Sequence, residues 1–584
     1  MKGTINPGRQ SSAGPSLARE RRGVRIHADG LTTTLRNGTR ILDDVSFTVE
    51  PGELVAIVGG SGAGKTTLLE ALAGVRLATS GRVRFDDTDA YEHLDAFRSI
   101  LGFVPQDDII HAELPLERTL RYAAMLRLRD ANAVQVDELV AQTLAQLDLT
   151  ERASVPVSAL SGGQRKRASI AVELLTSPHV FFLDEPTSGL DPAIHAELMR
   201  LLRQLADVGT TVVLTTHAVQ DLRTCDRVVF LAGGGRLAFD GTPAEAQDYF
   251  GVQSLEQVYE RLANDETPDG WAARFDAHRR GRPARGAAPR AADGSPASPG
   301  PVAARARAGA FRQWLVLSRR TAETIWRNRL TLAILLGSPV MVVAMFAVLF
   351  RPGAFAFEDP SPSAVVMIIF WVSFGGFFFG LTYGLLQICT EFAIVRRERL
   401  VGLNLASYVL SKVTVLLPFL LVVDVLMLGV LRALDRLPAA STDVYLAVGV
   451  TLALDAAAAL ALGLLASAAV KDPSQATLAL PMLCFPAVLF SGAILPVHVM
   501  ASVGGAISLV MTDRWAFEAI GHSLGVRDLF ANGGSPLGAP LLHEYGTAGT
   551  QALGAYWAYL AGFTLVFGVA CWAVLVRKCR TATR

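Results

Sequence analysis

The sequence predicts a chain of two unlike parts, an α/β domain with a helical insert followed by an all-α domain of six membrane spans. Two observations support this division. Up to about residue 263, short β-branched runs alternate with helix-forming segments and small-residue turns. After about residue 330, stretches of roughly 20 uncharged residues recur, which is the length a helix needs to cross a bilayer. The two parts are therefore expected to fold in different solvents.

The composition limits the class of protein. Hydrophobic residues make up 51% of the 584 residues, and the mean hydropathy of +0.36 is high for a water-soluble chain. The formal net charge is +1, so no general attraction to nucleic acid is expected. No apolar segment precedes the first domain, so we expect no cleaved signal peptide. We also expect no structural disulfide, because the five cysteines show neither paired spacing nor a metal-ligand cluster.

Residues 1–22 are basic, contain Gly, Ser and Pro, and lack hydrophobic periodicity, which predicts a disordered tail. The α/β domain is expected to span residues 23–263. Helical periodicity predicts an insert formed by Leu114–Leu128 and Val136–Leu149. Strands are predicted at Val24–Ala28, Val45–Val49, Leu54–Val58, His179–Leu183, Thr211–Thr216, Arg227–Leu231 and Arg236–Asp240.

A glycine-rich loop lies between the predicted strand Leu54–Val58 and a predicted helix, Leu68–Gly74. Its sequence fits the phosphate-binding pattern G-x-x-x-x-G-K-[ST]. In such a loop the backbone N–H groups cradle phosphates, the lysine reaches the β/γ oxygens and the following Thr holds Mg²⁺. The pattern predicts a P-loop NTPase with the loop residues Gly59, Gly60, Ser61, Gly62, Ala63, Gly64, Lys65, Thr66 and Thr67.

Two further motifs lie downstream. Ser161-Gly162-Gly163-Gln164 is a small-residue turn leading into a helix, which leaves backbone N–H groups and a hydroxyl free to meet an anion. The strand His179–Leu183 then ends abruptly in Asp184-Glu185. A carboxylate pair at the C-terminal tip of a strand suits metal binding and water activation. These patterns indicate a nucleotide site.

The three motifs in this order resemble an ABC ATPase, whose signature corresponds to Ser161–Gln164. The resemblance implies that the domain binds ATP and Mg²⁺. It implies that Glu185 orients or deprotonates the attacking water and that Asp184 supports Mg²⁺, beside Thr66. By the same resemblance, Lys65 neutralises charge on the γ-phosphate.

Three more residues receive roles from this resemblance. Gln106 lies in the Q-loop, as a Mg²⁺ ligand that also senses the membrane domain, whereas a lone Gln is usually only a surface polar residue. His217, after the strand Thr211–Thr216, corresponds to the switch histidine that contacts the γ-phosphate, although a His at a strand end is more often structural. Asp191 belongs to the D-loop.

Two positions depart from the family pattern. Leu35 stands where most ABC ATPases carry an aromatic residue that stacks on adenine, so tight stacking is not expected. In Pro115–Leu120, Glu117 and Arg118 have the acid and the base in the reverse of the order usual in the G subfamily. A family contact of that glutamate is therefore not carried over.

Residues 264–310 are rich in Pro, Gly, Ala and Arg without apolar periodicity, which predicts a linker. Residues 311–329 have apolar side chains on one helical face and charged ones opposite, which predicts an amphipathic connecting helix at the membrane interface. The membrane domain is expected to occupy residues 330–584, with spans at about 330–350, 364–388, 409–431, 444–470, 475–496 and 552–576.

Cationic residues concentrate at alternate ends of these spans, so the positive-inside rule predicts that both termini and the ATPase domain lie in the cytosol. The clusters are Arg327/Arg329, Arg396/Arg397/Arg399, Lys471 and Arg577/Lys578/Arg580. Asp424 and Asp455 fall inside spans. Each could line a substrate path or satisfy a contact between helices.

Two segments resemble parts of G-type transporters. Glu391–Lys412 resembles the intracellular loop of the bacterial members, which implies that it rests on the ATPase domain and transmits its motion. Phe490–Pro496 and Asp513–Ala519 resemble the end of the fifth span and the external re-entrant region.

The whole chain after residue 23 therefore resembles a bacterial half-transporter of the G (White) subfamily of ABC transporters. The resemblance implies that two copies of the chain pair head to tail, as a homodimer, in the plasma membrane. It implies export of a hydrophobic or amphipathic small molecule or lipid, with membrane lipid and no nucleic acid as further partners. A mechanotransmission protein and an importer remain alternatives. The longest external stretch, 497–551, is short for the former, and the spans exclude a soluble ABC protein.

Overall fold

The computed structural model describes residues 23–98, 100–128, 131–280, 309–545 and 551–581. The predicted tail at 1–22 and residues 281–308 of the predicted linker lie outside the described residues. The first domain contains ten strands. They are β1 (Ile26–Thr34), β2 (Arg40–Val49), β3 (Leu54–Gly59), β4 (Ser80–Phe85), β5 (Thr88–Asp89), β6 (Leu101–Val104), β7 (Val180–Asp184), β8 (Thr211–Thr215), β9 (Arg227–Ala232) and β10 (Arg236–Gly241).

These strands form two sheets. A four-stranded antiparallel sheet has the order β2-β1-β4-β5, and a six-stranded sheet has the order β10-β9-β3-β8-β7-β6. In the larger sheet only β10 runs antiparallel to its neighbour. Every residue of β3, β7 and β8 is buried, because helices cover both faces of a parallel sheet. This burial explains why these strands are continuous apolar or β-branched runs in the sequence.

Ten helices accompany these sheets, and α3 and α4 confirm the predicted helical insert. They are α1 (Lys65–Leu72), α2 (Leu94–Phe97), α3 (Leu116–Arg127), α4 (Ala133–Gln146), α5 (Gly162–Leu174), α6 (Pro192–Asp207), α7 (Val219–Leu222), α8 (Pro243–Phe250), α9 (Glu256–Asn264) and α10 (Pro268–Arg280).

The predicted start of the linker, at residue 264, is wrong. Helix α10 lies within that segment and packs on β10. Trp271 and Phe275 are buried in the hydrophobic core of the first domain, with exposed fractions of 0% and 5%. Two aromatic rings four residues apart lie on one helical face and suffice to dock a short helix, even though the flanking residues are Arg, Ala and Gly. The first domain therefore extends at least to Arg280.

Helices are the regular secondary structure of the second part of the chain within its described residues. Its helices are α11 (Ala310–Arg327), α12 (Arg329–Leu349), α13 (Pro362–Leu385), α14 (Phe392–Leu400), α15 (Leu405–Ala433), α16 (Thr442–Ala469), α17 (Pro473–Leu489), α18 (Ser502–Ser508), α19 (Thr512–Ser523), α20 (Val526–Asn532), α21 (Gly538–Tyr545) and α22 (Leu553–Thr581).

Among the described residues, five helices are long and apolar enough to cross a membrane: α12, α13, α15, α16 and α22. The fifth predicted span, at 475–496, is instead the 17-residue helix α17. It contains Pro481 and Pro486 and ends at Leu489, short of the predicted end. Its length is at the lower limit for crossing a bilayer.

Helices α13 and α16 form the closest helix pair of the membrane domain. A Cβ at Gly380 would lie 2.4 Å from the carbonyl oxygen of Ala456, and one at Gly463 would lie 2.4 Å from that of Leu381. Only glycine permits so close an approach of two backbones. Helix α19 packs against this pair and against α22, with most of its residues buried. The segment that resembles a re-entrant region is therefore part of the packed domain.

Candidate nucleotide-binding site

The predicted site residues meet at one edge of the larger sheet. Strands β3, β8, β7 and β6 are parallel neighbours, so their carboxyl ends lie side by side. The P-loop follows β3, His217 follows β8, Asp184 and Glu185 stand at the end of β7, and Gln106 follows β6. Ligands of parallel α/β sheets bind outside this edge. The sheet order thus brings together residues that are up to 158 positions apart in the sequence (59 to 217).

The P-loop wraps the start of α1. Gly64 has φ of 90°, and a Cβ there would lie 2.6 Å from the carbonyl oxygen of Ile41, so this turn requires glycine. The Nζ atom of Lys65 donates hydrogen bonds to the carbonyl oxygens of Gly59 (3.1 Å) and Gly60 (3.0 Å). Burial lowers the pKa of Lys65, and the charges of Glu185 and Asp184 oppose that shift. The ammonium group is thus held inside the loop, where a phosphate would meet it.

Asp184 is 3% exposed and is held by two hydroxyl groups. Its Oδ1 atom accepts hydrogen bonds from Thr66 Oγ1 (3.1 Å) and from Thr215 Oγ1 (2.6 Å). The structure therefore places the two predicted Mg²⁺ residues of the P-loop and of β7 in direct contact. Oxygen ligands of this kind are those that Mg²⁺ prefers.

The Glu185 carboxylate is held from both sides. Gln106 Nε2 donates to its Oε2 atom at 3.2 Å, and His217 Nε2 lies 2.6 Å from its Oε1 atom. The Glu185 backbone has φ of 46°, in the left-handed region that costs energy for a residue with a side chain. Its N–H donates to Thr215 Oγ1 at 2.9 Å, which stabilises that conformation. The arrangement fixes a carboxylate where an attacking water would be oriented.

The residues present fit a Mg²⁺ ion. No group of three or more His, Cys, Asp or Glu side chains suited to a metal ion occurs in the described part of the chain. The candidate site instead combines the Thr66 hydroxyl, the Asp184 carboxylate and the Gln106 amide. Thr66 and Asp184 touch directly, and Gln106 is connected to them through Glu185.

The signature residues lie at the N-terminus of α5. Ser161 caps the helix, because its hydroxyl accepts from the Gln164 N–H (3.3 Å) while Gln164 Oε1 accepts from the Ser161 N–H (3.1 Å). Ser161 and Gly162 are exposed, and a Cβ at Gly162 would meet nothing within 4 Å. Gly163 is packed instead, since its Cβ would lie 3.2 Å from Ile194 Cδ1. The outer side of the signature is thus open within this chain.

Asp191 has a structural partner in this chain. It caps α6, accepting hydrogen bonds from the N–H groups of Ala193 and Ile194, both at 3.1 Å, and its side chain is exposed. Leu35 lies in the turn between β1 and β2, and its side chain is 41% exposed. The position where most ABC ATPases carry an adenine-stacking ring is therefore accessible here, but leucine occupies it.

Sequence reasoning missed three residues that organise the site. Thr215 donates to the Asp184 carboxylate and accepts from the backbone N–H of Glu185, as described above. Lys166 on α5 donates to the carbonyl oxygen of Gln106 at 2.7 Å and so ties the signature helix to the Q-loop. Asp221 accepts hydrogen bonds from Thr187 (3.0 Å) and Thr216 (2.6 Å) and contacts His195. Only Thr215 carries a sequence signal, since it stands at the end of a strand two residues before His217.

The ATPase domain meets the membrane domain at α11 and α14. Arg118 forms a bidentate ion pair with Glu323 of α11 (2.8 Å and 3.1 Å), and the Tyr122 hydroxyl donates to Glu323 at 2.6 Å. The base that the reversed order places at position 118 thus has an acidic partner, Glu323, on the connecting helix. On α14, Leu400 packs against the ATPase core. The predicted intracellular loop therefore rests on the ATPase domain.

Two protein-family models match the chain, one described as ABC transporter over residues 42–188 and one described as ABC-2 type transporter over residues 312–523. The ABC transporter ATP-binding/permease protein Rv1747 of Mycobacterium tuberculosis is 33% identical over 572 residues, covering 94% of this chain and 63% of that protein. ABC transporter G family member 22 of Arabidopsis thaliana is 38% identical over 220 residues, covering 36% of this chain and 29% of that protein. The chain thus spans less than two thirds of either relative.

Solved structures also match this chain. Among them is the ATP-binding cassette MJ0796 in a dimeric post-hydrolysis state bound to ADP and Pi, with 27% identity and a TM-score of 0.35, covering 37% of this chain and 98% of that one. The two family models match the chain in the order of its two domains, and the mycobacterial relative aligns with nearly all of it. The chain is therefore a multi-pass membrane protein that carries an ABC transporter ATPase domain followed by an ABC-2 type transporter membrane domain.

Proposed function

We propose that the chain is an ATP-hydrolysing half-transporter that works as a dimer and exports a hydrophobic or amphipathic substrate across the plasma membrane. The observation that supports a dimer is that the signature residues lie apart from the P-loop within one chain. The P-loop and Glu185 converge, whereas Ser161 and Gly162 face open space at the start of α5. One chain therefore provides the phosphate-binding half of one site and the signature half of another. The second chain of the dimer completes both sites.

The residues of one chain have distinct tasks in this proposal. The P-loop N–H groups and Lys65 bind the phosphates of ATP, and Thr66, Gln106 and Asp184 hold Mg²⁺, which supplies positive charge to the phosphate oxygens. Glu185 orients the attacking water and accepts its proton. His217, now paired with Glu185, is close enough to that carboxylate to reach the same γ-phosphate. The Ser161 hydroxyl and the N-terminus of α5 bind the γ-phosphate of the partner's ATP.

The proposed topology places the ATPase domain and both termini in the cytosol. Helices α11 and α14 both contact the ATPase domain, so the ends of the spans next to them lie on its side of the membrane. Lys578 at the end of α22 donates to the carbonyl oxygen of Val470 at the end of α16 at 2.6 Å, which puts two more cationic ends on one side. The positive-inside rule assigns that side to the cytosol. Export, rather than import, follows from the resemblance to the G subfamily.

A mixed dimer tests the composite site. Lys65→Ala damages the phosphate side, and Gly162→Asp damages the signature side by bulk and charge. Position 162 suits this test because an added side chain meets nothing in its own chain, whereas Gly163→Asp would clash with Ile194. Each mutant homodimer should be nearly inactive. Co-expressed chains carrying different tags, purified through both tags, should regain part of the ATPase activity because both faults fall in one site.

Crosslinking resolves the case in which hydrolysis requires two working sites. A photoreactive ATP analogue bound in the presence of Mg²⁺ should label residue 162 of the facing chain. Labelling of residue 162 in the chain whose own Lys65 holds the nucleotide would contradict the dimer. In vesicles, ATP-stimulated movement of a lipid or other amphipathic probe from the ATPase side to the other side would support export, and the opposite direction would overturn it.

A further inference from the structure

Three charged side chains are buried together where the ATPase domain meets the membrane domain. They are Arg127 at the end of α3, Glu173 near the end of α5, and Arg397 on α14, with side chains 4%, 3% and 8% exposed. The first two belong to the ATPase domain, and the third belongs to the membrane domain. Two guanidinium groups thus lie next to a single carboxylate in a buried site.

The two arginines do not share it equally. Arg127 forms a bidentate pair with Glu173, with Nη2 to Oε1 at 2.7 Å and Nη1 to Oε2 at 3.0 Å. Arg397 Nε lies 3.8 Å from Glu173 Oε1, beyond hydrogen-bond distance. The Nε and Nη1 atoms of Arg397 have no acceptor within the described ranges. Burial lowers the pKa of Arg397, and the Glu173 charge opposes that shift.

The carboxylate next to Arg397 in the sequence does not satisfy it. Glu398 is itself buried and accepts hydrogen bonds from Arg320 of α11, with Nη2 to Oε2 at 3.0 Å. Two desolvated guanidinium nitrogens without an acceptor are unfavourable, so Arg397 would be stabilised by a closer Glu173. A relative shift of about 1 Å between α5 and α14 brings the pair to hydrogen-bond distance.

Helix α5 connects this cluster to the signature. It begins at Gly162 and carries Glu173 in its last turn, so the two ends are separated by about 16 Å along a rigid helix. When the signature engages ATP on a facing chain, α5 moves as one body. Its motion changes the position of Glu173 relative to α14, which belongs to the membrane domain.

We propose that Glu173 is a positioning residue that transmits this motion, by exchanging its bond to Arg127 for a bond to Arg397 when ATP closes the site. The inference rests on the proposed function and names one contact through which ATP binding reaches the membrane domain. In this structure the carboxylate is bound to Arg127. In the closed state Arg397 becomes its main partner, and the membrane domain is held to the signature helix by a buried ion pair.

Crosslinking measures the change in distance between the elements that carry the three side chains. In a chain whose five native cysteines are replaced by alanine, one variant carries Glu173→Cys with Arg397→Cys and a matched one carries Glu173→Cys with Arg127→Cys. A non-hydrolysable ATP analogue with Mg²⁺ should raise the crosslinking rate of the first pair several-fold and lower that of the second. Equal rates with and without the nucleotide in both pairs would overturn the proposal. Because this readout does not need turnover, it stays informative even if the chain hydrolyses no ATP.

Kinetics provide a second test in the full-length protein. Glu173→Gln and Arg397→Gln should each lower ATP turnover by about tenfold, a typical size for coupling between sites, with ATP affinity nearly unchanged. The double variant should be no slower than either single one, because both remove the same contact. A double variant slower by the product of the two effects would contradict the exchange.

Two controls separate this role from a structural one. Arg121 on α3 pairs with Asp137 of α4 at 3.3 Å, a pair within the insert, so Arg121→Gln should leave turnover unchanged. Arg397→Lys keeps the buried charge and should fold where Arg397→Gln does not, while losing the planar fork and part of the turnover. Wild-type protein without ATPase activity would refute the proposed function, whereas an active wild type with unaffected Glu173 and Arg397 variants would refute this inference alone.

Discussion

Asp184 of the ATP site and Asp424 inside the membrane domain are equally buried, but they differ in their partners. Asp184 is 3% exposed, and two threonine hydroxyls donate to it. Asp424 on α15 is 2% exposed, and neither of its oxygens has a hydrogen-bond partner among the described residues. A buried polar group without a partner is unfavourable. The two hydroxyl groups hold the Asp184 carboxylate in one orientation, whereas no hydrogen bond among the described residues orients the Asp424 carboxyl group. The predictions below test that difference, in order of decreasing effect.

The largest effect is expected at Glu185. Glu185→Gln keeps the size of the side chain and its contacts with Gln106 and His217 but removes the base. ATP should still bind, while hydrolysis should fall by about 10²- to 10⁴-fold, the usual contribution of a positioned acid–base group. Steady-state ATPase assays and nucleotide binding on the same purified protein check both halves. Turnover close to that of wild type would show that another group activates the water.

A smaller effect is expected for the choice of nucleotide. Because Leu35 provides no stacking ring, phosphate contacts dominate binding, and GTP should compete with ATP within about tenfold, or about 1.4 kcal/mol. Competition binding to the Glu185→Gln variant measures the ratio without turnover. Leu35→Tyr, which adds a ring at this exposed position, is the matched variant and should increase the preference for ATP. A strong preference for ATP in the wild type would mean that another side chain contacts the base.

Asp424 should contribute still less to hydrolysis. Asp424→Asn removes the capacity for charge from a side chain without partners, so ATP turnover should change by less than about threefold and the protein should remain folded. Asp184→Asn, at similar burial but with two hydroxyl partners, is the contrasting variant and should nearly abolish turnover. If Asp424→Asn stopped probe transport while leaving ATP hydrolysis intact, the residue would belong to a substrate path.

The smallest effect concerns pH at the interface between the domains. Partial burial raises the pKa of Glu323, but hydrogen bonds from Arg118, Tyr122 and Arg327 outweigh it and hold the pKa at about 2, below the ordinary 4.5. A lowered pKa means that the contact stabilises the folded protein fully above about pH 4.5 and loses that effect as the pH falls towards 2. The difference in unfolding midpoint between wild type and Glu323→Gln should therefore shrink between these pH values. A constant difference would show that the carboxylate charge is not involved.

The same contrast explains how far sequence reasoning reached. The P-loop, Asp184-Glu185 and Ser161–Gln164 were found because local backbone geometry demands particular residue types in consecutive positions, such as glycine at 64. The buried strands β3, β7 and β8 were found because burial on both faces leaves a continuous apolar run. Functional sites in the membrane domain do not require particular residue types in consecutive positions. The sequence therefore singled out Asp424 as an acid inside a span but gave it no role.

The sequence by itself determined the two-domain order and the helical insert, and it indicated the residues of the candidate nucleotide site, because each depends on chain-local chemistry. Only the tertiary structure decided which distant side chains become partners. It joined Arg118 to Glu323, placed Glu173 between Arg127 and Arg397, and docked α10 on the ATPase core through Trp271. The physical reason is that an ion pair or an aromatic contact depends on the packing of whole helices, which neither the spacing nor the composition of a single segment encodes.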